Sequence, residues 1–174
     1  MILHQALAQC RTLVVEGPDG VARTALIAQL TRHGFVIRRS RGHLHHVDPI
    51  RPYRELLAAP GRLAVNGSII HELVYGPLRR GRSRVTWIQA LDFAEAVAER
   101  DGALIHVTGG TDDTEAAGAY ERAFRTLAQH APVVTFDARE AGDPGLPSHG
   151  PAPPPCPQLR RCTQTLTIGW RQTA

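Results

Sequence analysis

The stretch Val14-Val15-Glu16-Gly17-Pro18-Asp19-Gly20-Val21-Ala22-Arg23-Thr24-Ala25-Leu26, VVEGPDGVARTAL, changes its periodicity in the middle. On its N-terminal side Thr12 to Val15 is a short β-branched apolar run, the composition of a buried strand. Gly17-Pro18-Asp19-Gly20 breaks that run with turn residues. Thr24 to Thr31, TALIAQLT, then carries apolar residues at helical spacing. Strand, glycine turn and helix form the first unit.

The same alternation continues outward. Phe35-Val36-Ile37 follows Gly34 directly, as a strand follows a helix stopped by glycine. Tyr53 to Ala59 reads as a short helix ended by Pro60-Gly61, and Arg62 to Val65 as a third strand. Ser68 to Tyr75 is a helical piece halted by Gly76-Pro77, and Thr86 to Arg100 an amphipathic helix with Thr86 as its cap. Ala103 to Val107 is a fourth strand, Asp113 to His130 a helix and Val133 to Phe136 a fifth strand. Short apolar strands alternating with helices call for an α/β fold, a parallel sheet covered on both faces. Ligands of such sheets sit at the carboxyl ends of the strands, which singles out the loops after Val15, Ile37, Val65 and Val107.

A glycine turn between strand and helix gathers backbone N–H groups at a helix N-terminus, a cradle for phosphate. The full pattern is Gly-x-x-x-x-Gly-Lys-Ser/Thr, in which lysine neutralises charge on the phosphates and the hydroxyl holds Mg²⁺. Here Gly17, Gly20 and Thr24 stand where that chemistry requires, while the second glycine is Ala22 and the lysine is Arg23. Thr24 is the metal-side candidate. Asp19, with Glu16 and Glu72, is the acidic candidate near the reaction centre.

All twenty basic residues are arginine, and the 174-residue chain contains no lysine. A GC-rich coding sequence accounts for that at surface positions. It accounts less well for Arg23, because guanidinium is planar and larger than the compact ammonium it replaces. The three cysteines, Cys10, Cys156 and Cys162, match neither zinc nor redox spacing and read as reduced thiols. His43, His45 and His46 with Asp48 lack ligand spacing as well and read as loop histidines. No signal-like start and no long apolar run are present, so the expected location is the cytoplasm, without a membrane partner. Residues 142–174 begin with a Pro-rich linker, GDPGLPSHGPAPPPCPQ, and end in an arm, TQTLTIGW, whose alternation fits a terminal strand.

Residues Asn66 to Thr86, NGSIIHELVYGPLRRGRSRVT, taken with VVEGPDG, resemble the thymidylate kinase-like and deoxynucleoside monophosphate kinase-like P-loop proteins common in bacteriophages. That family's pattern is similar to Asp-Arg-x-x-x-Ser-Glu-x-x-Tyr-Gly-Pro followed by an arginine- and glycine-containing turn. Glu72, Tyr75, Gly76, Pro77, Arg79 and Gly81 align with it without a gap. The resemblance covers residues 12–137 and implies a P-loop kinase-like domain over 1–141, in three layers around a five-stranded parallel sheet. It also implies ATP and Mg²⁺ as ligands, a deoxynucleoside monophosphate as acceptor, a homodimer, and, for a viral protein, the host cytoplasm. On that reading Gly17, Gly20, Ala22, Arg23 and Thr24 hold ATP, with Asp19 and Arg23 catalytic. Asn66, Glu72, Tyr75, Arg79, Arg82 and Arg84 hold the acceptor.

The chain departs from the family where the reaction is carried out. The family's Asp-Arg pair stands as Asn66-Gly67, and its serine as His71. Phosphoryl transfer depends on positioning and charge neutralisation, so these changes bear on turnover more than on binding. Three expectations follow: a kinase with impaired or altered catalysis, acting on a deoxynucleotide or a related acceptor in modified DNA; an inactive pseudokinase that binds nucleotide, protein or DNA; and a nucleic-acid binder using the arginines at 38, 39 and 41, at 79 to 84 and at 160 to 161.

Overall fold

The computed structural model describes residues 1–18, 20–39, 48–109, 113–137 and 139. All of them belong to one compact unit, Met1–Pro144. Five strands, β1 (Thr12–Glu16), β2 (Val36–Arg39), β3 (Leu63–Asn66), β4 (Gly102–Thr108) and β5 (Val133–Asp137), form a single sheet in the order β2-β3-β1-β4-β5. Every neighbouring pair is parallel. The helices are α1 (Leu3–Gln9), α2 (Val21–Arg32), α3 (Arg51–Leu57), α4 (Ile69–Arg80), α5 (Trp87–Ala98) and α6 (Thr114–Leu127).

Strand parity divides the core into two layers. Leu13, Val15, Ala64, Ile105 and Val107 face α1 and α2, where they pack with Leu7, Leu26 and Leu30. Val14, Leu63, Val65 and Leu104 face the other helices and pack with Tyr53, Leu73, Phe93, Ala94 and Phe124. A strand covered on both faces is buried at successive positions, which is why Leu13 to Val15 and Ala103 to Ile105 read as continuous apolar runs rather than alternating ones. α2 crosses over one face on the way from β1 to β2, whereas α4 and α5 cross the other between β3 and β4. The chain reverses its winding at β1 and β3, and the carboxyl ends of these two strands are where such sheets take their ligands.

Two elements differ from the sequence reading. The N-terminal helix α1 was not expected, although Leu3, Ala6, Leu7 and Cys10 stand at helical spacing and the last three are buried. The helix expected to halt at Gly76-Pro77 runs on to Arg80 and closes at Gly81, which takes the left-handed conformation at φ 71°. The proline lies within the last turn, and Leu78 beyond it packs against the core, so tertiary contact outweighs the local break. No helix among the described residues is long and apolar enough to cross a membrane.

Candidate functional site

Gly17 opens the turn after β1 at φ 148°, and a Cβ there would run into the Val107 carbonyl of the neighbouring strand. Only glycine fits that position. Asp19 lies outside the described residues, so the turn is described from its two ends. At the far end Gly20 precedes α2, and Thr24 directs both its backbone N–H and its hydroxyl to the Gly20 carbonyl at 3.3 Å. Ala22 lies within α2 and packs against the α1–α2 core, so its methyl has a place in the fold.

Arg23, in the first turn of α2, is only 7% exposed. Its Nε donates to Asn66 Oδ1 at 2.8 Å, and its Nη1 donates to the Gly17 carbonyl at 3.1 Å. Its Nη2 stands 3.0 Å from where a Cβ on Gly67 would be. Gly67 itself has φ 84°, which glycine adopts without strain. The guanidinium thus fills the space between the ends of β1 and β3 and ties the two loops together.

Glu16, the last residue of β1, is fully buried. Its Oε1 accepts the Ser68 N–H, while the Ser68 hydroxyl caps α4 by accepting the Ile70 N–H at 3.2 Å. The carboxyl therefore anchors the start of α4 instead of standing as a reacting acid. Oε2 is buried with no hydrogen-bond partner among the described residues. Burial pushes the Glu16 carboxyl above the usual carboxylate range, with the charge of Arg23 and the bonds to Ser68 pulling the other way.

Along α4, the His71 Nδ1 is in hydrogen-bond contact with the Tyr120 hydroxyl at 3.2 Å, and its ring lies 4.6 Å from that of Tyr75. Arg79 stands over the Tyr75 ring at 4.5 Å. Glu72 gathers the turn that follows, since its Oε1 accepts from the Arg80 guanidinium and from the Arg84 N–H at 3.0 Å. Gly76 makes this fold-back possible, because a Cβ there would stand 2.8 Å from Ser83 Cα and 3.1 Å from the Arg82 carbonyl. Glu72 is thus engaged in shaping the turn, and Arg82 and Arg84 are exposed on it.

The structure brings Gly17, Arg23 and Asn66 into one group, and Glu72, Tyr75 and Arg79 into a second. At about 1.5 Å per residue, the end of α4 is roughly 16 Å from its start, so the arginine turn stands well away from Arg23. Sequence reasoning named Arg39 only for nucleic-acid binding; it stands in register beside Asn66 on the neighbouring strand, at the same edge of the sheet. Missed altogether were His106, whose ring stacks on Phe124 at 4.4 Å, and Tyr120, which is fully buried. Burial lowers the His106 proton affinity, opposed by the charge of Glu121. Strand parity was the available signal for Arg39 and His106.

His43, His45 and His46, read from the sequence as loop histidines, lie outside the described residues. Asp48 accepts the Ile50 N–H at 3.1 Å. No group of metal-ligating side chains occurs among the described residues. At the carboxyl ends of the strands they offer Mg²⁺ the Thr24 hydroxyl but no carboxylate at the end of β3, and the Asn66 oxygen already accepts from Arg23. Cys10 is a buried free thiol that burial pushes up, while Cys156 and Cys162 lie outside the described residues. The chain matches no protein-family model, no curated protein and no solved structure.

Proposed function

We propose that the chain binds a nucleotide at the glycine turn as a P-loop kinase-like protein, with impaired or altered phosphoryl transfer from ATP to a deoxynucleoside monophosphate or related acceptor. The observation that carries this reading is a buried arginine at the start of α2, set between the carboxyl ends of β1 and β3, where the sheet changes winding. Positive charge there, beside a glycine turn and a helix N-terminus, suits the phosphates of a nucleotide. Arg39 adds a second cation at the same edge. Further along α4, Arg79, held over the Tyr75 ring, adds a charge for the acceptor.

A second reading, an inactive pseudokinase, draws on the same residue. Arg23 spends two donors on Gly17 and Asn66, and the β3 end carries neither the acid nor the arginine of the resembled family. Such a site holds phosphates better than it stabilises a moving phosphoryl group. No metal-dependent step is assigned to residues that offer so few oxygen ligands.

Calorimetric titration of the full chain with ATP, with and without Mg²⁺, together with ADP release over a panel of deoxynucleoside monophosphates, tests both readings. Saturable ATP binding with acceptor-dependent ADP release identifies the kinase. Saturable binding without release identifies the pseudokinase. Absence of binding under both conditions overturns the nucleotide reading altogether.

A further inference from the structure

Between Glu72 and Asp92 the chain carries no acidic residue, and within that span stand Arg79, Arg80, Arg82 and Arg84. Arg79 and Arg80 have a structural reason to be there. They lie in the last turn of α4, where cations meet the negative end of the helix dipole, and they rest on the Tyr75 ring and the Glu72 carboxylate respectively. Arg82 and Arg84 have no such reason. Both are exposed, and neither guanidinium makes an ion pair or hydrogen bond among the described residues.

The turn that carries them is nevertheless firmly held. The Ser83 hydroxyl accepts the Val85 N–H at 3.0 Å, the Val85 side chain is buried, and Glu72 accepts the Arg84 N–H at 3.0 Å. Gly76 lets the main chain of Arg82 and Ser83 lie directly on α4. Beyond the turn, α5 begins at Trp87 with Thr86 as its cap and no acid in its first turn, so the positive end of its dipole adds to the two arginines. Trp87 is 47% exposed and Ile88 71%. The other large apolar side chains exposed among the described residues, Met1, Ile2 and Val36, lie at the amino terminus and at the start of β2. Trp87 follows Arg84 by three residues and Arg82 by five, so an open ring is fixed close to cations that no acid neutralises.

We propose that the turn between α4 and α5 binds single-stranded nucleic acid, with Arg82 and Arg84 on the phosphates and the Trp87 ring stacked on a base. Charge alone would suit any polyanion. An exposed indole face suits a base, and only an unpaired strand offers one. The surface stands roughly 16 Å from Arg23 along α4, so it is separate from the nucleotide site at the glycine turn and does not rest on that reading. Arg82 and Arg84, expected from the sequence to hold a mononucleotide acceptor, here take the phosphates of a polymer.

The test is fluorescence anisotropy of a labelled oligothymidylate of about 12 nucleotides, titrated with the full chain over a series of KCl concentrations. The double variant Arg82→Ala/Arg84→Ala is expected to weaken binding and to reduce the slope of log affinity on log salt by about 1.4, at roughly 0.7 for each phosphate contact. Trp87→Ala is expected to weaken single-strand binding at least about fivefold while leaving the salt slope and duplex binding unchanged, and Trp87→Phe to keep most of the affinity. In a chain carrying Trp170→Phe, the remaining indole emission should be quenched as strand is added. All three altered side chains are exposed, so the core is untouched.

Failure of the unaltered chain to bind the strand at low salt, or unchanged affinity in the arginine variant, overturns the inference. A loss in the arginine variant with none in Trp87→Ala leaves a surface for polyanions in general and overturns the single-strand assignment. Displacement of the strand by a large excess of thymidine monophosphate returns Arg82 and Arg84 to a mononucleotide acceptor and overturns it too. So does a Trp87→Ala variant that sediments as a monomer where the unaltered chain is a dimer, with strand affinity unchanged, since a second copy of the chain then covers the ring. ATP titration decides the glycine-turn reading by itself, so the two readings fail independently.

Discussion

Glu16 and His106 stand in register on adjacent parallel strands, so two titratable side chains share one buried face of the sheet. Burial favours the neutral form of each, raising the proton affinity of the carboxyl and lowering that of the imidazole. The two therefore set opposite slopes on the dependence of stability on pH.

For Glu16 the folded value lies above the unfolded one. Its contribution is complete below the ordinary carboxyl value of about 4.5 and is lost as pH rises through the folded value. Glu16→Gln stays neutral throughout and retains an acceptor for the Ser68 N–H. Melting curves taken from acid to mildly alkaline buffer should show the unaltered chain losing stability relative to the variant as pH rises. Parallel curves would show that the carboxyl is not held neutral by its site.

For His106 the folded value lies below the unfolded one, so its contribution is present above about 6.5 and is lost as pH falls through the folded value. His106→Phe keeps a ring against Phe124 and removes the titration. The variant should hold its melting temperature better than the unaltered chain as the buffer is acidified from neutrality. An identical acid slope in the two proteins would remove His106 from the account. The neighbours of this face include Tyr120 and Glu121, and Glu121→Gln should steepen the acid loss slightly by removing the charge that supports protonation.

The turn after α4 depends on Gly76 and Glu72 together. Gly76→Ala places a methyl against Ser83 Cα and the Arg82 carbonyl, both main-chain atoms that cannot move alone. A loss of about 1–3 kcal/mol is expected in urea denaturation. Glu72→Ala removes the partners of the Arg80 guanidinium and the Arg84 N–H, and should cost about 0.5–1.5 kcal/mol. Amide exchange at residues 82–85 should quicken in both variants. Unchanged exchange there would mean that the turn is held by other contacts.

The strand runs and the glycine turn were legible because apolar continuity and turn chemistry are local properties of the chain. Thr86 was readable as a cap for the same reason, and its hydroxyl accepts the Gln89 N–H. The extension of α4 through Pro77 was not legible, because Leu78 gains its place from the core and not from its neighbours in sequence. The role of Glu16 was hidden too. An acid before a glycine turn looks exposed in sequence, and only the approach of Ser68, 52 residues away, shows what it holds. The largest gap concerns Arg23, Asn66 and Gly67. Read singly they are three losses from a motif, and their contact exists only once β1 and β3 are adjacent.

That contact predicts a non-additive outcome at position 67. Gly67→Arg places a side chain at φ 84°, where left-handed backbone costs roughly 1–2 kcal/mol for a residue other than glycine. It also brings Cβ to 3.0 Å from Arg23 Nη2, so the guanidinium has to give way by a few tenths of an ångström and make room for the further side-chain atoms. Combining it with Arg23→Lys removes the planar group and leaves only the backbone cost. The double variant should therefore be less destabilised in urea than the sum of the two single changes, by about 0.5–3 kcal/mol. If the two changes add, Arg23 and Gly67 are not coupled, and a guanidinium at the start of α2 imposes no demand on the loop after β3.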